Sequence, residues 1–145
     1  MKYAKVRDVK SPSRNTSLTA GITFYVPNDF NEGLPLSVPP GGRVLVPSGI
    51  KVSVPAGYAL IAFNDSDVAV TSGLVVGACV VNEDFQEEIL MNVINTDLNN
   101  DYYNGMEYVN YSGHVEINPG DKLTQFILVP VNYEMPEEVT IENLY

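Results

Sequence analysis

Apolar residues in this chain fall in short runs separated by turn formers. Ile50-Lys51-Val52-Ser53-Val54 alternates apolar and polar with period two, the pattern of a strand with one buried face. Ile22 to Val26, Arg43 to Val46, Tyr58 to Phe63, Leu74 to Val76, Cys79 to Val81, Ile89 to Ile94, His114 to Ile117 and Leu123 to Val129 are runs of strand length, most of them rich in β-branched and aromatic residues. Pro39-Pro40-Gly41-Gly42, Pro47-Ser48-Gly49, Pro55-Ala56-Gly57 and Asn118-Pro119-Gly120-Asp121 punctuate them. No window of about 11 residues or more carries a clean helical stripe. Many short strands at this spacing predict an all-β sandwich or barrel of jelly-roll type. The rhythm breaks once, at Asn95 to Gly113, a polar segment with Tyr102, Tyr103, Tyr108 and Tyr111. Loops this long are usually functional or mobile; the other reading is a lengthened hairpin with its tyrosines packed on the sheet.

The 145 residues amount to one domain, 1–145, with the Tyr-rich insertion at about 98–113. Hydrophobic residues make up 45%, enough for a core, which excludes wholesale disorder. No apolar run is long enough to span a membrane, and the basic start has no apolar stretch behind it, so no membrane partner and no leader are expected, and the expected location is cytoplasmic. Cys79 alone cannot form an internal disulfide, and His114 alone cannot build a multi-histidine zinc site. Cys79 reads as core, and His114 as a surface or subunit-facing side chain. There are 18 acids against 8 bases, and no Lys or Arg lies between Val52 and Asp121. Such a surface repels duplex nucleic acid. Glu83, Asp84, Glu87 and Glu88 occupy a turn and the strand after it, so they read as a solvated rim rather than one metal cluster. No metal or cofactor is expected.

Four segments, in order, resemble the motifs of the homotrimeric dUTPases, in particular those of tailed bacterial viruses. Ala20-Gly21-Ile22-Thr23-Phe24-Tyr25 is similar to the first motif, Ala-Gly-x-Asp-Leu-Tyr. Asn64-Asp65-Ser66-Asp67-Val68-Ala69 stands where the second has a basic residue, Ser, Gly, a hydrophobic residue and Ala. Gly73 to Ile89 resembles the third, and Gly120 to Ile127 the fourth. The resemblance implies a jelly-roll (β-clip) subunit, a homotrimer and nucleotide sites between subunits. It assigns the base pocket to a hairpin at Val76 through Phe85, phosphate binding to the second motif, and the water-activating carboxylate to the start of the third. A first-motif carboxylate would support the site and its magnesium.

The reaction centre departs from that pattern. Asn82 replaces the water-activating Asp, and a carboxamide has no useful basicity; losing a positioned base costs ~10²–10⁴ in rate. Asp65 stands where a cation should meet phosphate, and Asp67 where Gly should be. A like charge a few ångströms from a phosphate costs on the order of 1–4 kcal/mol. Thr23 replaces the first-motif Asp, Phe85 the Tyr, and Glu87 the Gly. The sequence ends at Asn143-Leu144-Tyr145, with no Gly-rich arm expected.

These departures predict a dUTPase-like protein without hydrolysis. The first reading is a small-nucleotide binder, a sponge for a cyclic immune-signal nucleotide among the options. Its ligand contacts would be Ser66, Val76, Gly77, Ala78, Val81, Asn82, Phe85 and Gln125, with Tyr102, Tyr103, Tyr108 and Tyr111 as further stacking surfaces worth ~1–3 kcal/mol per base. Cations could come from Arg7, Lys10, Arg14, Arg43, Lys51 or Lys122. The second reading is a structural trimer that engages a protein partner. The third is an active dUTP diphosphatase in which Glu83 or Asp84 serves as base. If the protein is viral, its place is the host cytoplasm.

Overall fold

Alternation in the sequence becomes alternation in space: along Ile50–Ser53 the side chains run buried, exposed, buried, exposed. The computed structural model describes residues 1–78, 80–97, 102–103, 106, 108–109 and 112–145. Its strands are β1 (Lys2–Lys5), β2 (Ile22–Tyr25), β3 (Leu36–Val38), β4 (Arg43–Pro47), β5 (Ile50–Ser53), β6 (Tyr58–Asn64), β7 (Leu74–Ala78), β8 (Val80–Val81), β9 (Leu90–Asn95), β10 (Tyr102–Tyr103), β11 (Tyr108–Val109), β12 (Val115–Ile117) and β13 (Lys122–Pro130). One helix, α1 (Ser66–Ser72), lies between β6 and β7, and 3-10 turns cover Phe30–Gly33 and Ile141–Asn143.

The strands form a four-stranded sheet ordered β2-β13-β6-β8 and a three-stranded sheet ordered β4-β9-β7, with ribbons β1-β5, β3-β12 and β10-β11. All pairings are antiparallel. β13 is central because its apolar run is long enough to pair with β2 on one side and β6 on the other. One buried cluster joins both sheets. Phe24 on β2 and Phe126 on β13 meet in it with ring centroids 4.4 Å apart and planes tilted by 46°, and Met91 and Val93 on β9 enter from the second sheet. This is the all-β jelly-roll class read from the sequence.

Three local outcomes differ from the sequence reading. Helix α1 occupies the second motif; its seven residues are too few to show a helical stripe. β1 and β3 form in polar or very short stretches, each recruited by a partner strand. The segment Val76 to Phe85 divides between the two sheets. β7 pairs with β9 through a bulge at Gly77 as far as Ala78, and β8 pairs instead with β6. Cys79 lies outside the described residues. In the Tyr-rich segment Tyr103 pairs with Tyr108 and Tyr102 with Val109 in a two-residue ribbon, while Tyr111 lies outside the described residues. Among the described residues no helix is long and apolar enough to cross a membrane.

Candidate functional site

Three groups of residues carry the chemistry. The first is centred on Asn64, the last residue of β6. Its Oδ1 accepts the Val76 N–H at 2.7 Å, and its carbonyl accepts from Gln125 Nε2 at 2.7 Å. Gln125 in turn fills the space over Gly21, where an added Cβ would come within 1.9 Å of Oε1. Asn64 therefore joins the second motif to the third and fourth, and Gln125 packs over Gly21 of the first; the sequence reading did not select Asn64 as a site residue.

The chain then enters α1. Asp65 is its N-cap: the carboxylate accepts the N–H groups of Asp67 at 3.1 Å and Val68 at 3.3 Å. Gly73, in the left-handed region at φ 66°, ends the helix. Lys122 Nζ lies 3.3 Å from Asp65 Oδ1 and 2.6 Å from Asp67 Oδ2. The hydrogen bond to Lys122 holds the Asp67 carboxyl below its ordinary range, and the same bond raises Lys122 against the opposing effect of desolvation. Ser66 is exposed at the start of the helix. So the second motif carries two acids, and the cation beside it is already engaged by both.

The second group is an apolar slot of about 370 Å³ lined by Leu45, Ala78, Val81, Phe85, Leu90 and Asn92, among others, with buried Phe126 also in its lining. Glu87 and Glu88 are also in its wall. Glu88 accepts from Arg7 Nε and from the Gly49 N–H, both at 2.8 Å, and Glu87 lies 3.9 Å from Lys51. The slot thus gathers Ala78, Val81 and Phe85 from the expected contacts, but not Ser66, Val76, Gly77, Asn82 or Gln125.

The third group is the turn Asn82-Glu83-Asp84, which with Tyr133 lines a cavity of about 480 Å³. Glu83 accepts the Gly57 N–H at 2.9 Å and the Tyr133 hydroxyl at 3.1 Å. Partial desolvation and then that hydrogen bond raise the Tyr133 hydroxyl above its ordinary value. The basic N-terminal segment is also engaged within the chain. Arg7 meets Glu88 and Asp29, Lys10 donates to the Gly120 carbonyl, and Arg14 donates to the carbonyls of Thr19 and Ala20. His114 is exposed, its Nδ1 3.1 Å from the Ser112 carbonyl.

Residues 7–100 match the dUTPase family. A deoxyuridine 5'-triphosphate nucleotidohydrolase of Maricaulis maris is 30% identical over 125 residues, covering 83% of this chain and 70% of that protein. The chain belongs to the dUTPase family. Its fold is similar to that of the dUTPase of phage phi11 of S. aureus, with a TM-score of 0.79 and 20% identity over 99% of this chain and 98% of that one. The Staphylococcus bacteriophage 80alpha dUTPase is similar at a TM-score of 0.75 and 18% identity, over 99% and 97% of the two chains.

The positions that a dUTPase resemblance assigns to catalysis carry other chemistry in this chain. Asn82 is an exposed amide at the end of β8. Thr23 is buried in β2, its backbone paired with Ser13. A neutral, buried hydroxyl is a poor ligand for magnesium, which prefers carboxylate and phosphate oxygens. Among the described residues no group of three or more His, Cys, Asp or Glu gathers to hold a metal ion. At this position the chain offers a hydroxyl in place of the carboxylate that the resemblance expects.

Proposed function

We propose that this dUTPase-family chain binds a small nucleotide without hydrolysing it, as a homotrimer with its sites between subunits. The observation that carries the reading is Asp65. Where phosphate should meet a cation, its carboxylate takes up two helix N–H groups and, with Asp67, holds Lys122. An incoming triphosphate meets two acids and a cation already neutralised, so the charge stabilisation that phosphoryl-type chemistry requires is absent at that point. A ligand with fewer charges, such as a cyclic dinucleotide, meets less repulsion. The slot beside Phe85 offers the apolar wall on which a ring can stack.

The reading with a rearranged catalytic base meets an obstacle at Glu83, which is held by Gly57 and Tyr133 and so oriented by the scaffold. The reading as a protein-interaction trimer is favoured by one observation: Met135 and Ile141 in the C-terminal stretch are 83% and 81% exposed within the single chain. Purified protein incubated with dUTP and magnesium should release no pyrophosphate, while a nucleotide panel should raise the melting temperature by mass action. Turnover of roughly 1–10 per second would overturn the proposal. No thermal shift with any nucleotide would favour the protein-interaction reading.

A further inference from the structure

The C-terminal stretch is tied to the body of its own subunit at one corner. The ladder of β6 and β13 ends with Tyr58 opposite Pro130, and the Val131 N–H extends it by one step to the Gly57 carbonyl at 2.9 Å. Two residues later the Tyr133 hydroxyl donates to Glu83. From Glu134 to Tyr145 every hydrogen bond among the described residues is local to the stretch. Tyr133 is therefore the last hydrogen-bonded tie between the stretch and the body among the described residues.

Two turns build this corner. Pro55-Ala56-Gly57-Tyr58 closes with the Tyr58 N–H on the Pro55 carbonyl at 3.1 Å, and Gly57 takes the positive φ, 81°, that its third position requires. Asn82 to Phe85 closes with the Phe85 N–H on the Asn82 carbonyl at 3.2 Å and carries Glu83. One oxygen, Glu83 Oε2, accepts both the Gly57 N–H at 2.9 Å and the Tyr133 hydroxyl at 3.1 Å. The contacts form a closed circuit, from Val131 to Gly57, from Gly57 to Glu83, and from Glu83 back to Tyr133. Its two ties to the stretch differ in kind. The Val131 bond joins backbone groups at the end of a sheet. The Tyr133 bond is one hydroxyl, on a side chain 61% exposed, held by one carboxylate, so water or another donor can replace it. That carboxylate stands between Asn82 and Asp84, and Tyr133 completes the lining of the cavity at this turn.

We infer that Tyr133 and Glu83 form a latch that sets where the C-terminal stretch pivots. With the latch closed, the stretch leaves the body at Tyr133. With it open, the pivot moves back to Val131, which adds about 7 Å of reach at ~3.3 Å per extended residue. The Val131 bond then lies at the free end of the ladder and frays. A group that claims Glu83 opens the latch, so the state of the Asn82–Asp84 turn is passed to the stretch within one subunit. The coupling is reciprocal: a stretch drawn elsewhere frees Glu83. The neutral phenol is the form that donates. Desolvation and then Glu83 raise it above its ordinary value of 10.0, with Asp84 acting in the same direction. The contact therefore holds at neutral pH and is lost as pH rises through the raised value.

Amide exchange followed by NMR on the full chain at neutral pH tests this at Val131, whose N–H bonds to neither latch side chain. Tyr133→Phe should speed Val131 exchange about fivefold, the scale of one exposed charge-assisted hydrogen bond. Glu83→Ala should speed it at least as much, and adding Tyr133→Phe to Glu83→Ala should change nothing further, because the two residues act through one contact. The Phe126 amide, inside β13, should keep its rate in every variant. In the wild-type protein the Tyr133 ring carbon that bears the hydroxyl should titrate above 10.0, and Glu83→Ala should lower that midpoint. Val131 exchange that ignores Tyr133→Phe overturns the inference and means that something else, such as a neighbouring subunit, fixes the root of the stretch. Full additivity of the two substitutions, equal acceleration at Phe126, or a Tyr133 midpoint at or below 10.0 overturns it as well. None of these results touches the nucleotide-binding reading, which stands or falls on pyrophosphate release and thermal shift.

Discussion

At the scale of single residues, Asp67 and Lys122 set the character of the second motif. Their contact is exposed, so it adds little to stability; its importance is to decide which charge is free. Asp67 is held below its ordinary value of 3.8, first by the Lys122 hydrogen bond and then by its charge. A carboxyl depressed in this way contributes stability above its unfolded value, and the contribution is lost as pH falls through the folded one. Lys122 is raised from 10.5, so its contribution holds below that value and is lost as pH rises through the folded one. The clamp is therefore closed across the neutral range. Carboxyl-carbon NMR should place the Asp67 midpoint below 3.8, and Lys122→Met should return it toward the ordinary value. An Asp67 midpoint at or above 3.8 in the wild type would mean that Asp67 does not hold Lys122.

At the scale of elements, α1 turns a motif associated with phosphate into a capped helix. Asp65 supplies two hydrogen bonds at its start, so Asp65→Ala should lower stability by about 1 kcal/mol, while Asp65→Asn, also a good cap, should lose less. Urea unfolding midpoints compare the three, and equal midpoints would remove the capping role. This helix also marks where the sequence stopped being legible. Strands such as Ile50–Ser53 and Lys122–Pro130 could be read because burial imposes their pattern directly on the residues. The seven residues of α1 are set by a cap, a C-terminal glycine and a lysine 55 positions away, and none of these leaves a period. The site shows the same division. The substitutions at Thr23, Asp65 and Asn82 were visible against the motif pattern, as were the apolar wall residues Ala78, Val81 and Phe85. Asn64 and Asn92 were not, because an asparagine in a strand gains meaning only from what faces it. Asn64 faces Val76 and Gln125, and Asn92 faces a bulge at Gly77.

At the scale of the whole molecule, the stretch after β13 is the unfinished part of the single chain. Its backbone leaves the core with Val131 bonded to the Gly57 carbonyl, and Tyr133 reaches Glu83. Beyond that point every residue is exposed, including Met135, Val139, Ile141, Leu144 and Tyr145. Apolar side chains this exposed along an acidic stretch are better covered than left in water. The β1-β5 ribbon, which carries Lys2, Lys5 and Lys51, offers the opposite charge to Glu134, Glu137, Glu138 and Glu142. A neighbouring subunit would supply such a surface, and membership of the dUTPase family leads one to expect a trimer. Light scattering on the purified protein should therefore give the mass of three chains. Truncation after Tyr133 keeps the Glu83 contact and removes the exposed stretch; it should dissociate the assembly at concentrations where the full chain stays whole. Rising salt should weaken the full-length assembly but have little effect on the truncated chain, because the charges that steer the contact are exposed and screened. A truncated chain that keeps the mass of three would show that the stretch plays no part in assembly. A full-length chain that runs as one subunit would remove any site built between subunits.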